Sequence, residues 1–209
     1  MILKKRILHL PAWLLIFVAA STVWAAPSPR PFAGIGILTI SPLNPARAGD
    51  PPGIPIYQEP GVARLVTATP TDIPNLAPAV QNRGDTVHVA VNEKRGDWLN
   101  IHYDDAGRTG WIFFERSWTF ITWPEFLKGR AITVLPGLRK NYYSLLDRNA
   151  DTGHVGAVIN STIPLRVVKV TDDWCYVITV REGSGWLRWR DRDGRFLISV
   201  NPQFDPQKH

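Results

Sequence analysis

Residues 96–111 read GDWLNIHYDDAGRTGW, with two tryptophans, one histidine and three aspartates. Such a stretch is either a chemical site or the frame of a small β-fold, and its recurrence decides between the two. Placing Trp98 on Trp174, 174 − 98 = 76 positions later, lays residues 84–112 on residues 160–187. Thr86 then meets Thr162, Val87 meets Ile163, Val89 meets Leu165 and Val91 meets Val167. Asp97-Trp98 falls on Asp173-Trp174 and, after one deletion, Gly110-Trp111 falls on Gly185-Trp186. Each copy reads as an alternating apolar strand, a polar turn, an Asp-Trp strand, a Gly-containing turn and a Gly-Trp strand. Repeats of this kind mark a duplicated structural unit.

Alternation assigns faces, because successive strand side chains point to opposite sides. Leu99, Ile101 and Tyr103 share the face expected to be core, and Trp98, Asn100 and His102 share the other. In the second copy Cys175, Val177 and Thr179 take the core side. Trp174, Tyr176 and Ile178 lie opposite, on a more apolar face expected to be covered. Asp104 to Gly107 and Arg181 to Gly183 mark hairpin tips. Gly110 and Gly185, each before a tryptophan, allow close passage of a bulky neighbour. Upstream, residues 54–61 and 141–159 are expected to supply the first strand and a long loop of each unit. Residues 62–83 look like an extended insertion.

Between the copies, residues 113–130 (FFERSWTFITWPEFLKGR) are too aromatic for a flexible linker. Trp118, Phe120, Ile121 and Trp123 are expected to pack the units together, and Pro124 to open one helical turn. With 18 Pro and 16 Gly spread along the chain, short strands and turns are favoured over long helices.

The amino terminus has the form of a cleavable export signal. Lys4, Lys5 and Arg6 precede an apolar run from Ile7 to Ala20, and Val23 and Ala25 form a small-residue cleavage site. The run is short for a membrane span and is interrupted by His9 and Pro11. Residues 1–25 carry three basic and no acidic residues, so the mature charge is 21 − 18 = +3 against +6 for the whole chain. The remaining basicity is scattered, which argues against nucleic-acid binding. Export to the periplasm or beyond, with no stable membrane insertion after cleavage, is the expectation. Cys175 is the single cysteine, so no internal disulfide is possible and burial must hold the fold.

Around the duplicated residues the chain resembles the bacterial SH3 family of small β-barrels found in exported cell-envelope proteins. That family's G-x-W-x-x-V strand appears as Gly96-Asp97-Trp98-Leu99-Asn100-Ile101, and its G-x-x-G-W-V strand as Gly107-Arg108-Thr109-Gly110-Trp111-Ile112. The second copy offers Asp173-Trp174-Cys175-Tyr176-Val177 and Gly183-Ser184-Gly185-Trp186-Leu187. The family's N-V-R-x-G-P opening strand is absent from both copies, and the second lacks the Gly before Asp173. The resemblance implies an all-β chain of two tandem SH3-like barrels of five or six strands, joined by a packed aromatic linker. The expected boundaries are a signal peptide 1–25, a flexible segment 26–36, domain 1 at 37–116, a linker 117–130, domain 2 at 131–200 and a tail 201–209. It also implies a ligand groove at Trp98 and Trp111, with Trp174 and Trp186 as counterparts and Asp97 as a groove acid.

Catalytic readings find little footing. His154 and Cys175 invite a thiol-peptidase reading, yet Cys175 falls within a strand on the core face rather than at a helix N-terminus. His102, Asp97, Asp104 and Asp105 lack metal-ligand spacing, and Asp104 and Asp105 suit a hairpin tip. Residues 190–195 (RDRDGR) read as an exposed hairpin, since a calcium loop needs a longer ligand series ending in Glu. No catalytic residue, metal or cofactor is expected. The leading expectation is a non-catalytic envelope binding module that takes cell-wall peptide or a protein segment through an aromatic groove. The alternative is a structural adaptor that binds an envelope protein partner through Trp118 and Trp123.

Overall fold

The computed structural model describes residues 30–41, 53–82, 86–179 and 183–200, so the expected leader and tail lie outside the described residues. The chain is all-β, in two seven-stranded antiparallel sheets. The first holds β1 (Gly36–Ile40), β2 (Ile54–Glu59), β3 (Val62–Ala68), β4 (Val87–Arg95), β5 (Trp98–His102), β6 (Thr109–Phe113) and β7 (Thr119–Thr122). After a short helix α1 (Trp123–Leu127), the second holds β8 (Ala131–Val134), β9 (Ser144–Leu146), β10 (Val155–Val158) and β11 (Leu165–Thr171). It is completed by β12 (Trp174–Ile178), β13 (Ser184–Arg188) and β14 (Ile198–Val200).

The order across the first sheet is β3-β2-β6-β5-β4-β1-β7, and across the second β10-β9-β13-β12-β11-β8-β14. Adding seven to each strand number turns one order into the other, so the duplication seen in residues 84–112 extends to the whole topology. Backbone hydrogen bonds repeat as well. Phe114 N–H donates to Asp97 O at 2.8 Å and Trp189 N–H to Asp173 O at 2.9 Å. Ile35 N–H donates to Val91 O at 2.7 Å and Gly129 N–H to Val167 O at 2.8 Å. The end strands of each sheet do not pair with each other among the described residues, and no closed ring of strands is seen.

The alternation read from the sequence holds in β5, where Leu99 and Ile101 are fully buried and Trp98, Asn100 and His102 are partly exposed. In β12, Cys175 and Val177 are fully buried. The outer face there is covered only at Trp174, while Ile178 is exposed. Two expectations need correction. The first strand of each unit is β1 or β8, and residues 54–59 and 144–146 form the second. Residues 62–68 are a strand, β3, rather than insertion. Each apolar run in β1 and β8 is only four or five residues long, and its strand identity comes from pairing with β4 or β11.

Residues 119–122 of the expected linker form β7, on β1. Pro124 sits in the first turn of α1, where a missing N–H costs nothing. The Glu125 carboxylate accepts the Thr122 N–H at 3.2 Å and its hydroxyl at 2.9 Å, satisfying the helix entry. Trp123 then drops into the seam between the sheets. Its ring meets Phe196 at 4.9 Å, Phe126 at 5.6 Å and Trp189 at 5.7 Å, and its indole N–H donates to Ala33 O at 2.6 Å. Trp118 and Phe120 instead pack in the first sheet's own core.

The second core is continuous with the seam and includes Ala33, Ile37, Leu76 and Val80 from the first unit. Residues 30–34, expected to be flexible, form a strap on the second unit. Ala33 N–H donates to Gly194 O at 2.8 Å, Phe196 N–H to Pro31 O at 3.2 Å, and the Arg190 guanidinium to Gly34 O at 2.9 Å. Arg30 adds an ion pair to Asp191 at 2.8 Å.

Candidate functional site

The outer face of the first sheet is built by a bulge. Val91 pairs with Ile101 toward the core, but the register shifts between Val91 and Glu93, so that Glu93 pairs with Asn100 and Arg95 with Trp98. One extra residue in a strand turns every following side chain to the other face. Glu93 and Arg95 thus leave the core side that strict alternation from Val91 would give them. Across the sheet, Arg95, Trp98 and Phe113 form one row, and Glu93, Asn100, Trp111 and Tyr57 the next.

Trp98 stands edge-on between two rings, with Tyr57 at 5.4 Å and 88° and Phe113 at 5.4 Å and 75°. Phe113 is 52% exposed, and Val62 on β3 is 61% exposed. The result is an apolar shelf of three aromatic rings, partly open to solvent. Trp111 is not part of its open surface, contrary to expectation. It is 4% exposed because the Arg95 guanidinium lies 4.6 Å over its ring. Glu93, at 2.7 Å, and Glu59, at 3.5 Å, hold Arg95 there. Asp97 is exposed, and its backbone carbonyl rather than its carboxylate fixes the turn.

The second sheet repeats the device with different side chains. Its bulge lies between Val167 and Lys169, the same place in the repeat, and sends Lys169 and Thr171 outward. Lys169 takes the place of Glu93, Tyr176 that of Asn100, Leu146 that of Tyr57 and Arg188 that of Phe113. Trp186 keeps a partly exposed ring, 5.4 Å from Tyr176. Trp174 does not, since Arg188 lies 4.7 Å over it and leaves it 8% exposed. Asp151 links Arg188, at 2.8 Å, to Arg192, at 2.7 Å. The hydrogen bond from Arg192 holds the Asp151 carboxyl below its ordinary value, aided, against some desolvation, by Arg188. A cleft of about 840 Å³ opens over this group, bounded also by Arg139, Tyr142 and Leu146.

The remaining sequence candidates are structural. Trp118 and Trp123 are 4% and 1% exposed, so the expected partner surface does not exist at those residues. Both are consumed by intramolecular packing, and the Trp118 Nε1 has no hydrogen-bond partner. Cys175 is fully buried, and burial pushes its thiol well up from the ordinary range, away from a nucleophilic thiolate. His154 is exposed. The His102 ring stacks on Phe32 at 5.8 Å and hydrogen-bonds Gly107 O at 3.1 Å, beside a smaller cleft of about 650 Å³. Asp104 accepts the Arg108 N–H at 3.0 Å and closes the hairpin tip. Residues 190–195 do form a turn, but Asp191 within it is buried and anchors Arg30, Asp193 N–H and Arg195 N–H. Among the described residues no group of three or more His, Cys, Asp or Glu could hold a metal ion. Nor is any helix among them long and apolar enough to cross a membrane.

Tyr57, Phe113, Arg188 and Asp151 were not singled out by the sequence. The strict match of Phe113 to Arg188 across the repeat carried a signal, since it marks an outward position that changes from ring to cation. Tyr57 reaches the site only through the pairing of β2 with β6, which no local pattern announces. Compared with protein-family models, curated proteins and solved structures, the chain matches none of them.

Proposed function

We propose that the chain is an exported tandem SH3-like protein of the cell envelope that binds a peptide segment, from the cell wall or from a protein, without catalysis. One observation carries this reading: Trp98, Tyr57 and Phe113 form a partly exposed aromatic shelf. Rings held edge-on by neighbours lose little freedom on binding and present both apolar area and polar edges, the chemistry that suits peptides and sugars. The repeated strand order and the coincident bulges support the reading of the two units as copies of one fold. Each unit has its own closely packed aromatic face, and neither face brings a nucleophile to a positioned base.

Trp98→Ala tests the shelf. Purified wild-type protein is expected to sediment with isolated sacculi or to be captured by a partner from envelope extract. The variant should lose most of that capture while its circular dichroism spectrum is retained. Full retention of both captures in the variant would remove the shelf as the binding site.

A further inference from the structure

The outer faces of the two units carry opposite charge arithmetic, at different positions of the repeat. In the first, two carboxylates, Glu59 and Glu93, hold one guanidinium, Arg95, over Trp111. In the second, two guanidiniums, Arg188 and Arg192, share one carboxylate, Asp151, beside Trp174, and Arg188 also lies 3.9 Å from Asp173.

The other charges around the second cleft are settled within the chain. Asp191 is taken by Arg30, and Asp173 by Arg190 at 2.6 Å. Arg139 stands exposed on the rim, with no ion pair or hydrogen bond from its guanidinium among the described residues. Asp193 is the remaining rim carboxylate. Arg188 is mostly buried and faces the cleft from a fixed seat on Trp174, whereas Asp151 sits on the exposed loop between β9 and β10. Arg188 is therefore built into the sheet wall, while Arg192, Arg139 and Asp151 stand on exposed loops around the cleft. Planar guanidiniums gathered around one cleft suit bidentate carboxylate recognition.

We propose that this cleft recognises a carboxylate-bearing peptide, whose acid groups bind Arg139 and take over Arg188 and Arg192 from Asp151. Leu146, Val155 and Tyr142 would line the peptide's apolar part. Asp151 then acts as an internal competitor that keeps the arginines paired when no ligand is bound. This site does not depend on the Trp98 shelf, and Trp98→Ala should leave it intact.

The test is a titration of the purified mature protein with tetraglutamate, followed by tryptophan fluorescence and by calorimetry, with tetraglutamine and inorganic phosphate as controls. Tetraglutamate should bind and tetraglutamine should not. Arg139→Ala, on an exposed side chain, should weaken binding about tenfold, the scale of one charge-assisted contact. Asp151→Asn should tighten it, because the competitor is neutralised without loss of shape. No binding of tetraglutamate, equal binding of phosphate, or weaker binding in Asp151→Asn would each overturn the proposal. A parallel arm uses soluble muropeptides with free or amidated carboxylates. Arg139-dependent binding of the free form alone supports the proposal and gives the wall as source, and binding of tetraglutamate alone supports it with an acidic protein segment as source. Muropeptide binding that ignores amidation counts against it.

Discussion

Gly96 adopts φ +59° with nothing near its missing side chain, and it turns β4 into β5. Its counterpart 76 positions later is Asp172, with φ +50°. The second copy lacks the glycine but keeps the left-handed turn, because Asp is among the few side chains that tolerate it. The turn cannot relax, since Trp189 Nε1–H donates to Asp172 O at 2.8 Å and both flanking strands are paired. Asp172→Gly is therefore expected to stabilise the protein by about 0.5–1 kcal/mol, and Gly96→Ala to destabilise it by about 1 kcal/mol. Urea unfolding midpoints of the two variants check the opposite signs. A common sign for both would mean that the turn is not the source of the difference.

At the scale of strands, the close pairing of β2 with β6 and of β9 with β13 depends on absent side chains. A methyl group on Gly110 would lie 2.4 Å from Ile56 Cγ2, and one on Gly185 would lie 2.8 Å from Leu145 Cβ. Gly110→Ala should cost about 1–3 kcal/mol through overpacking and should displace Tyr57 from Trp98, because Tyr57 O is itself 3.2 Å from that position. Thermal unfolding reads the first effect, and the tryptophan emission of the native state reads the second. Native stability in Gly110→Ala would contradict the close pairing.

The sequence made this element scale partly legible. Period-two alternation and the Gly-Trp pair disclosed β4, β5, β6 and their copies, because those strands are half-buried meanders with local partners. It did not disclose β1, β8 or β7, short runs whose only signature is a distant partner. The bulges were invisible too. Asn92 and Val168 have no residue type that demands an extra unit, yet they decide whether Arg95 and Lys169 face the core or the aromatic surface. Trp98 could therefore be placed from sequence, whereas Tyr57 and the guanidinium over Trp111 could not.

Across the whole molecule, the two units communicate through the seam, and a titrating group lies near it. His88 on β4 contacts Thr39 at 3.2 Å, and burial, assisted by the charge of Arg130 at the start of the second unit, holds its imidazole below the ordinary value. A histidine depressed in the folded state is neutral there but protonates when the chain unfolds. The stability it permits is full above its unfolded value near pH 6.5 and is lost as pH falls through that value. Asp147 and Asp151 behave otherwise, because arginine partners depress their carboxyls, and their contribution is lost only as pH falls below about 4. Stability should therefore fall between pH 8 and 5, well before the carboxylates respond, and His88→Gln should flatten that part of the curve. Urea midpoints over this range provide the check, and an equal slope in the variant would assign the loss elsewhere.

The strap of residues 30–34 has a further meaning in time rather than space. Its hydrogen bonds reach Arg190, Gly194 and Phe196, so residues made early bond residues made about 160 positions later. Contacts this distant in sequence are slow to form, since their loop must close before any of them contributes. The second core cannot be completed by the second unit alone, because Ala33, Ile37 and Val80 belong to it. A chain made from its amino terminus therefore leaves the second core incomplete until Phe196 has emerged.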